Sequence, residues 1–178
     1  LQISLKPLSN IIFTDMKSLL GLSLAEIQDI VNQHGLPKFT AKQLTEWLYK
    51  KHTGSFDEMT NLSKATRQLL SENYTTGYRD FTNVQESKDG TKKYLFPGGD
   101  NFIESAYIPD KDRATLCVSS QVGCKMNCLF CQTGKQGFQE NLPVSDILNQ
   151  ILNLPEYEKL TNFVFMGMGE PMNNYDNL

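Results

Sequence analysis

Three cysteines fall within the eight residues from Cys124 to Cys131, CKMNCLFC, at C-x3-C-x2-C spacing. Three thiols on one short segment need a loop, and a loop needs elements on either side that bring its ends together. Structural zinc takes four protein ligands, commonly two C-x2-C knuckles or a Cys/His pair. Only Cys128 and Cys131 form such a knuckle here, and both histidines, His34 and His52, lie far upstream. Cys117 offers a fourth thiol but belongs to a predicted strand, so a zinc-binding RNA module stays as an alternative. Unligated core cysteines occur singly, not as three in a loop rich in Gly, Lys and Gln. An iron–sulfur cluster fits the pattern better. Thiolates are its usual ligands, and three of them on a four-iron cubane leave one iron open to a small molecule.

The flanking sequence supplies a scaffold. ATLCVSSQ, residues 114–121, reads as a strand, residues 145–154 as an amphipathic helix, and NFVFMGMGEP, residues 162–171, as a strand followed by a turn. The helix is expected to bury Ile147, Leu148, Ile151 and Leu152 and to stop at Pro155. Together these form a βαβ unit, with the apolar run Phe163 to Met166 expected to be covered on both faces, as in a parallel sheet. Within GMGEP, Gly167 and Gly169 permit close backbone approach, and Glu170 can accept hydrogen bonds from a ligand's ammonium group. Upstream, KKYLF and FIESAYI flank the turn cluster PGGDN and predict a β-hairpin.

Residues 16–75 read as helical. Ser23 to Glu26 (SLAE) is a capping box leading into Leu24, Ile27, Ile30 and Val31, with a stop at Gly35. Thr40 to Gln43 (TAKQ) reads as a second capping box, opening a helix that buries Ala41, Leu44, Trp47 and Leu48. A third helix after NLS turns Leu62, Ala65, Leu69 and Leu70 inward. Lys38, Lys42 and Lys50, with Lys51 adjoining, make one basic ridge on the second helix. Residues 1–100 carry 12 Lys/Arg against 11 Asp/Glu, and residues 101–178 carry 5 against 9, so any RNA contact is expected in the first half. No apolar run approaches the roughly 18–20 residues of a membrane span, and no export signal opens the chain. A cytoplasmic, reducing location and no membrane partner follow as expectations, and in that compartment a disulfide framework is disfavoured.

With these motifs in place, the chain resembles the radical S-adenosylmethionine (SAM) superfamily, whose hallmark is this cysteine loop after the first strand of a partial (β/α) barrel. More narrowly, residues 36–51, 56–64, 102–109, 112–138 and 163–177 resemble the adenine-C2 RNA methyltransferases, which modify 23S ribosomal RNA and certain tRNAs. Gln132, directly after the third cysteine, is a mild departure that touches no ligand. The resemblance implies that Cys124, Cys128 and Cys131 hold a 4Fe-4S cluster and that Gly169 and Glu170 contact SAM. It also implies that Glu104 accepts a proton and that Cys117 resolves a covalent protein–RNA intermediate. Two SAM molecules serve each turnover in this family, one placing a methyl on a cysteine near the family's C-terminus and one generating the radical. The implied partners are ribosomal RNA or tRNA and an electron donor such as a flavodoxin-type reductant, with a monomer at full length. A radical SAM activase or maturase acting on a protein shares the loop, but would not be expected to carry the helical block of residues 36–64.

The expected fold class is α/β: a small N-terminal helical domain plus the first part of a partial (β/α) radical SAM barrel. The expected divisions are a tag or extension over residues 1–15, with Met16 as the true start, and a helical RNA-binding domain over 16–78. A β-hairpin extension over 79–110 and an incomplete barrel over 111–178 complete the division. More βαβ units are expected after Leu178, together with the methyl-carrying cysteine, so the chain alone is expected to be inactive.

Overall fold

The structure is a computed structural model, and it describes residues 16–178; the expectation for residues 1–15 lies outside the described residues. The first helix, α1 (Leu24–Gln33), begins as its sequence dictates. Ser23 Oγ accepts the Glu26 N–H, while the Glu26 carboxylate takes the Ser23 N–H at 2.8 Å and the Ser23 hydroxyl at 2.7 Å. The chain leaves the helix through His34 and Gly35, whose φ of +63° suits a residue without a Cβ. Ile27, Ile30 and Val31 then pack against Ala41, Leu44 and Leu48 of α2 (Phe39–Tyr49).

The second capping box is not formed. Thr40 is buried inside the first turn of α2, Lys38 occupies the cap position without a side-chain bond, and the Pro37 carbonyl accepts the Thr40 N–H at 2.9 Å. Proline starts the turn one step earlier, and Thr40 is taken up by the core. Helix α3 (Lys64–Asn73) is capped by Ser63 and buries Leu70, with Leu62 just ahead of it; Ala65, expected inward, is exposed. A short parallel bridge between β1 (Lys17–Ser18) and β2 (Tyr74–Thr75) ties the two ends of this helical block together.

A second core lies under a five-stranded sheet of order β3-β4-β5-β6-β9. Its strands are β3 (Asn83–Glu86), β4 (Lys92–Gly98), β5 (Asn101–Asp110), β6 (Arg113–Cys117) and β9 (Asn162–Val164). The predicted hairpin is β4–β5, closed where Gly98 faces Asn101. Strand β5 turns at residues 111–112 to pair antiparallel with β6, so hairpin and βαβ unit share one sheet. Strand β3 was not expected: all four of its residues are exposed, so it has no alternation to read. Within this sheet only β6 and β9 are parallel, joined by the crossover helix α5 (Val144–Leu152).

Helix α5 corrects the expected face. Ile147 is buried, but so are Asp146, Asn149 and Gln150, whereas Leu148, Ile151 and Leu152 are only partly covered. Asp146 faces the Arg79 guanidinium at 3.7 Å, while Asn149 and Gln150 bond to backbone. Asn149 Nδ2 donates to the Gly77 carbonyl at 2.6 Å and its Oδ1 accepts the Arg79 N–H at 3.1 Å. Gln150 takes the N–H of Ser119 at 2.8 Å and gives to its carbonyl at 2.9 Å, acting as a substitute strand partner. Strand β9 also ends earlier than the apolar run suggested. Phe163 and Met166 are exposed at this open edge instead of covered on both faces.

Candidate active site at the strand ends

Paired residues in neighbouring strands share a face of the sheet. Ile103, Ser105 and Tyr107 of β5 lie on the face covered by α5, where Ser105 Oγ donates to Gln150. Glu104 and Ala106 therefore lie on the opposite face. Ala106 pairs with Cys117, which pairs with Val164. Glu104 and Cys117 thus stand on the uncovered face of adjacent strands. Glu104 is exposed, with Lys93 Nζ at 2.9 Å. Burial pushes the Cys117 thiol above its usual value, partly offset by a hydrogen bond from the Met166 N–H.

Beyond Cys117 the chain does not continue as the single strand expected through Gln121. Regular pairing stops at Cys117, and Val118 holds on through its N–H to Val164 and its carbonyl to Gly167 N–H. The chain then enters a separate antiparallel ribbon of β7 (Gln121–Gly123) and β8 (Phe138–Asn141). This ribbon brackets the cysteine loop, which contains one short helix, α4 (Gln132–Lys135). Gly123, at φ +72°, marks the register shift between the ribbon strands, and a Cβ there would sit 1.8 Å from the Gly137 carbonyl oxygen.

Cys124, Cys128 and Cys131 are all free and partly accessible. The N–H groups of Gly134 and then Thr133 hold the Cys131 thiol below its usual range, and Cys124 Sγ accepts the Met126 N–H at 3.5 Å. Among the described residues, no three His, Cys, Asp or Glu side chains converge as around a single metal ion. A cluster in which each thiolate takes a different iron does not require that convergence, so the all-sulfur donor set fits a cluster better than a mononuclear site. Leu129, Phe130 and Met126 project from the loop into solvent, and Met166, Met172 and Tyr175 are exposed on the 166–175 segment.

The GMGEP turn docks directly on the residues that precede the cysteine loop. Ser120 and Gln121 N–H groups both donate to the Met168 carbonyl, at 2.9 and 3.2 Å, and Ser119 Oγ accepts the Met168 N–H at 2.8 Å. The two glycines are explained by this contact. A Cβ on Gly167 would lie 2.6 Å from Ser119 Oγ, and one on Gly169, at φ +96°, would lie 2.5 Å from Gln121 Cβ. Glu170 caps the 3-10 turn of Pro171–Asn177, accepting the Met172 N–H at 3.3 Å. Asn174, buried in that turn, donates to the carbonyls of Ser120 and Leu142, both at 2.8 Å.

Ser119, Gln121, Asn141, Gln150 and Asn174 were missed from sequence. The available signal was SSQ, a polar run placed where a buried strand was expected to continue. The histidines lie away from the loop: His34 Nε2 meets Tyr74 Oη at 3.0 Å, and His52 packs edge-on against Tyr157. Trp47 lies at the rim of the helical core, donating to Asn61 at 2.6 Å with Lys51 Nζ 3.7 Å over its ring. A separate cleft of about 770 Å³, lined by Lys17, Ser55, Tyr78 and Arg79 among others, opens between the helical block and α5.

Comparison with known proteins agrees with this geometry. Residues 118–178 match the radical SAM superfamily, and residues 17–76 match the ribosomal RNA large subunit methyltransferase N-terminal domain. The crystal structure of a radical SAM methyltransferase from Sphaerobacter thermophilus superposes with a TM-score of 0.83 at 34% identity, covering 90% of this chain and 49% of that one. The fold is that of a radical SAM protein, with the sheet open and no closed barrel among the described residues.

The relatives narrow the class. The Phocaeicola vulgatus protein named "Probable dual-specificity RNA methyltransferase RlmN" is 60% identical over 164 residues, covering 92% of this chain and 47% of that protein. The dual-specificity RNA methyltransferase RlmN of Desulfosudis oleivorans is 46% identical over 163 residues, covering 89% and 44%. The chain corresponds to the N-terminal half of the RlmN-like radical SAM methyltransferases, and it spans about half the length of the curated relatives it matches.

Proposed function

We propose that the protein methylates carbon 2 of adenosine in 23S ribosomal RNA and tRNA, using a 4Fe-4S cluster and two SAM molecules per turnover. The observation that carries this reading is the meeting of three features at one end of the parallel pair β6–β9. These are the cysteine loop, the GMGEP turn bonded to the residues before it, and Cys117 on the open face beside the strand that holds Glu104. Cys124, Cys128 and Cys131 would hold the cluster, and Gly169 and Glu170 would contact SAM. When bound, these groups supply the one-electron chemistry that makes a hydrogen-abstracting radical.

The chain's own residues do the rest. Glu104 accepts the proton lost from carbon 2, with the Lys93 ammonium offsetting its charge. The Cys117 thiolate attacks the sulfur of the thioether between protein and RNA: an S–S bond forms as the S–C bond breaks, the freed carbon takes a proton to become the methyl group, and an external thiol reduces the disulfide for the next turnover. Lys42 is exposed on α2 and Lys38 and Lys50 are exposed at its two caps, with Phe39 exposed between the first two lysines. Phosphates would meet the lysines, and an unpaired base would stack on Phe39. The division into a helical RNA-binding domain (16–78), a hairpin (79–110) and a radical SAM segment (111–178) belongs to the same proposal. So do a cytoplasmic location, a flavodoxin-type electron donor and a monomeric full-length enzyme. The test is an anaerobic reaction of the full-length protein with reductant, SAM and a 23S RNA fragment, read by mass spectrometry of the digested RNA. The expected product is 2-methyladenosine, and methylation at another atom, or none, refutes the proposal.

A further inference from the structure

Gln121 is fully buried, three residues before the first loop cysteine, and its carboxamide bonds at both ends. Its Oε1 accepts the Glu170 N–H at 2.9 Å, and its Nε2 donates to Asn141 Oδ1 at 2.7 Å. The direction of this chain is set by main-chain groups at its two ends. Asn141 Nδ2 donates to the Asn173 carbonyl at 3.2 Å. A carbonyl only accepts, so Asn141 must turn its amide nitrogen toward Asn173 and its oxygen toward Gln121. Gln121 must then give its nitrogen to Asn141 and its oxygen to Glu170 N–H, which only donates. A side chain with a donor and an acceptor at one branch point satisfies both. A carboxylate would face the Asn141 oxygen, and an apolar side chain would leave two groups unpaired.

The stem of the same residue occupies the space where Gly169 would carry a Cβ. Gln121 and Gly169 are therefore matched: the absence of a side chain on one lets the other pass and reach Glu170. Strand β7, which holds Gln121, pairs with β8 through Gln121–Asn141, and these two strands bracket the cysteine loop. One carboxamide thus joins the base of the loop to the turn after β9.

We propose that Gln121 is a positioning residue that fixes the 167–170 turn against the base of the cysteine loop, so that the groups meeting SAM and the thiolates share one rigid frame. This rests on the cluster and SAM reading above. Asn141 acts through Gln121 by orienting its carboxamide.

The test uses the full-length protein as wild type, Gln121→Met, Asn141→Ala and the double variant. Three quantities are measured: amide exchange of Glu170 without cofactor, iron content after anaerobic reconstitution, and the SAM dissociation constant by equilibrium dialysis. Methionine keeps the length of the side chain and removes both bonds. Gln121→Met is expected to keep its iron, to speed Glu170 exchange, and to weaken SAM binding about tenfold, the scale of one buried unpaired donor. Asn141 is exposed, so its variant is expected to fold, with SAM binding weakened about threefold, at the low end of the same range. That loss should vanish in the Gln121→Met background, because Asn141 has nothing left to orient. Glu170 exchange and SAM affinity unchanged in Gln121→Met, or additive losses in the double variant, overturn the proposal. Wild-type protein that holds iron but binds no SAM overturns the functional reading beneath it, which unchanged variants of a SAM-binding wild type would leave intact.

Discussion

Replacing Gly169 with alanine tests whether the turn after β9 lies against the chain before the cysteine loop. The backbone at Gly169 has φ +96°, a conformation that strains an L side chain by about 1–3 kcal/mol. The added Cβ would also lie 2.5 Å from Gln121 Cβ, 2.6 Å from its Cγ and 2.8 Å from its backbone nitrogen. None of these is the free end of a flexible chain, so something must shift, and overpacking of that kind costs about 1–3 kcal/mol. The expected total is about 2–6 kcal/mol. Gly137 provides the control, with φ +77° but nothing within 4 Å of the point a Cβ would occupy. Gly137→Ala should therefore cost only the backbone part, about 1–3 kcal/mol. Urea unfolding of both variants in the full-length protein gives the two losses, and hydrogen exchange over residues 167–172 shows whether the turn detaches. Equal losses in the two variants, with the turn still protected, would refute the close approach of Gly169 to Gln121.

Two further outcomes follow from other parts of the molecule. Changing Lys38, Lys42 and Lys50 to Glu in the full-length protein should weaken RNA binding and flatten its salt dependence by about 0.7–0.9 in log–log slope per lost phosphate contact; an unchanged salt titration returns this helix face to plain solvent. Glu156 is buried, with Lys92 Nζ at 2.8 Å and Tyr94 Oη at 2.6 Å. Glu156→Ala strands the buried Tyr94 hydroxyl, at a cost of about 1–3 kcal/mol in urea unfolding. Burial alone would raise the Glu156 carboxyl, but the hydrogen bonds from Lys92 and Tyr94 outweigh it and hold the group below its ordinary 4.5. Its stabilisation is therefore complete above that value and lost as pH falls through the lower folded value, so the gap between wild type and Glu156→Ala should shrink in acid.

Much of the fold was legible because local chemistry and tertiary packing agree. The Ser23–Glu26 capping box and the Gly98–Asn101 turn formed as read, and so did most of the apolar faces of α1 and α2, although Leu24 is exposed and Trp47 lies only at the rim of the core. The failures share a cause, which is tertiary demand overriding a local pattern. Thr40 was drawn into the core after Pro37 had already begun the helix. In α5 the polar residues Asn149 and Gln150 were buried because strand ends and the 77–79 segment offered backbone groups to satisfy. Periodicity counts apolar residues and cannot see such partners. At the site, the thiols and GMGEP were visible as motifs, whereas Ser119, Gln121 and Asn141 became visible only once the turn was seen packed on residues 118–121.

The central claim is that three cysteines, and not four, form the metal-binding loop. Its most direct test is iron and sulfide content, with the absorbance spectrum, of the anaerobically reconstituted full-length protein in four alanine variants. Cys124→Ala, Cys128→Ala and Cys131→Ala are each expected to lose the cluster, because each removes a thiolate from the loop between β7 and β8. Cys117→Ala is expected to retain it, since Cys117 lies in β6 between Ala106 and Val164, outside the loop. Loss of iron from Cys117→Ala as complete as from the other three would contradict the account and return the protein to a four-cysteine metal site.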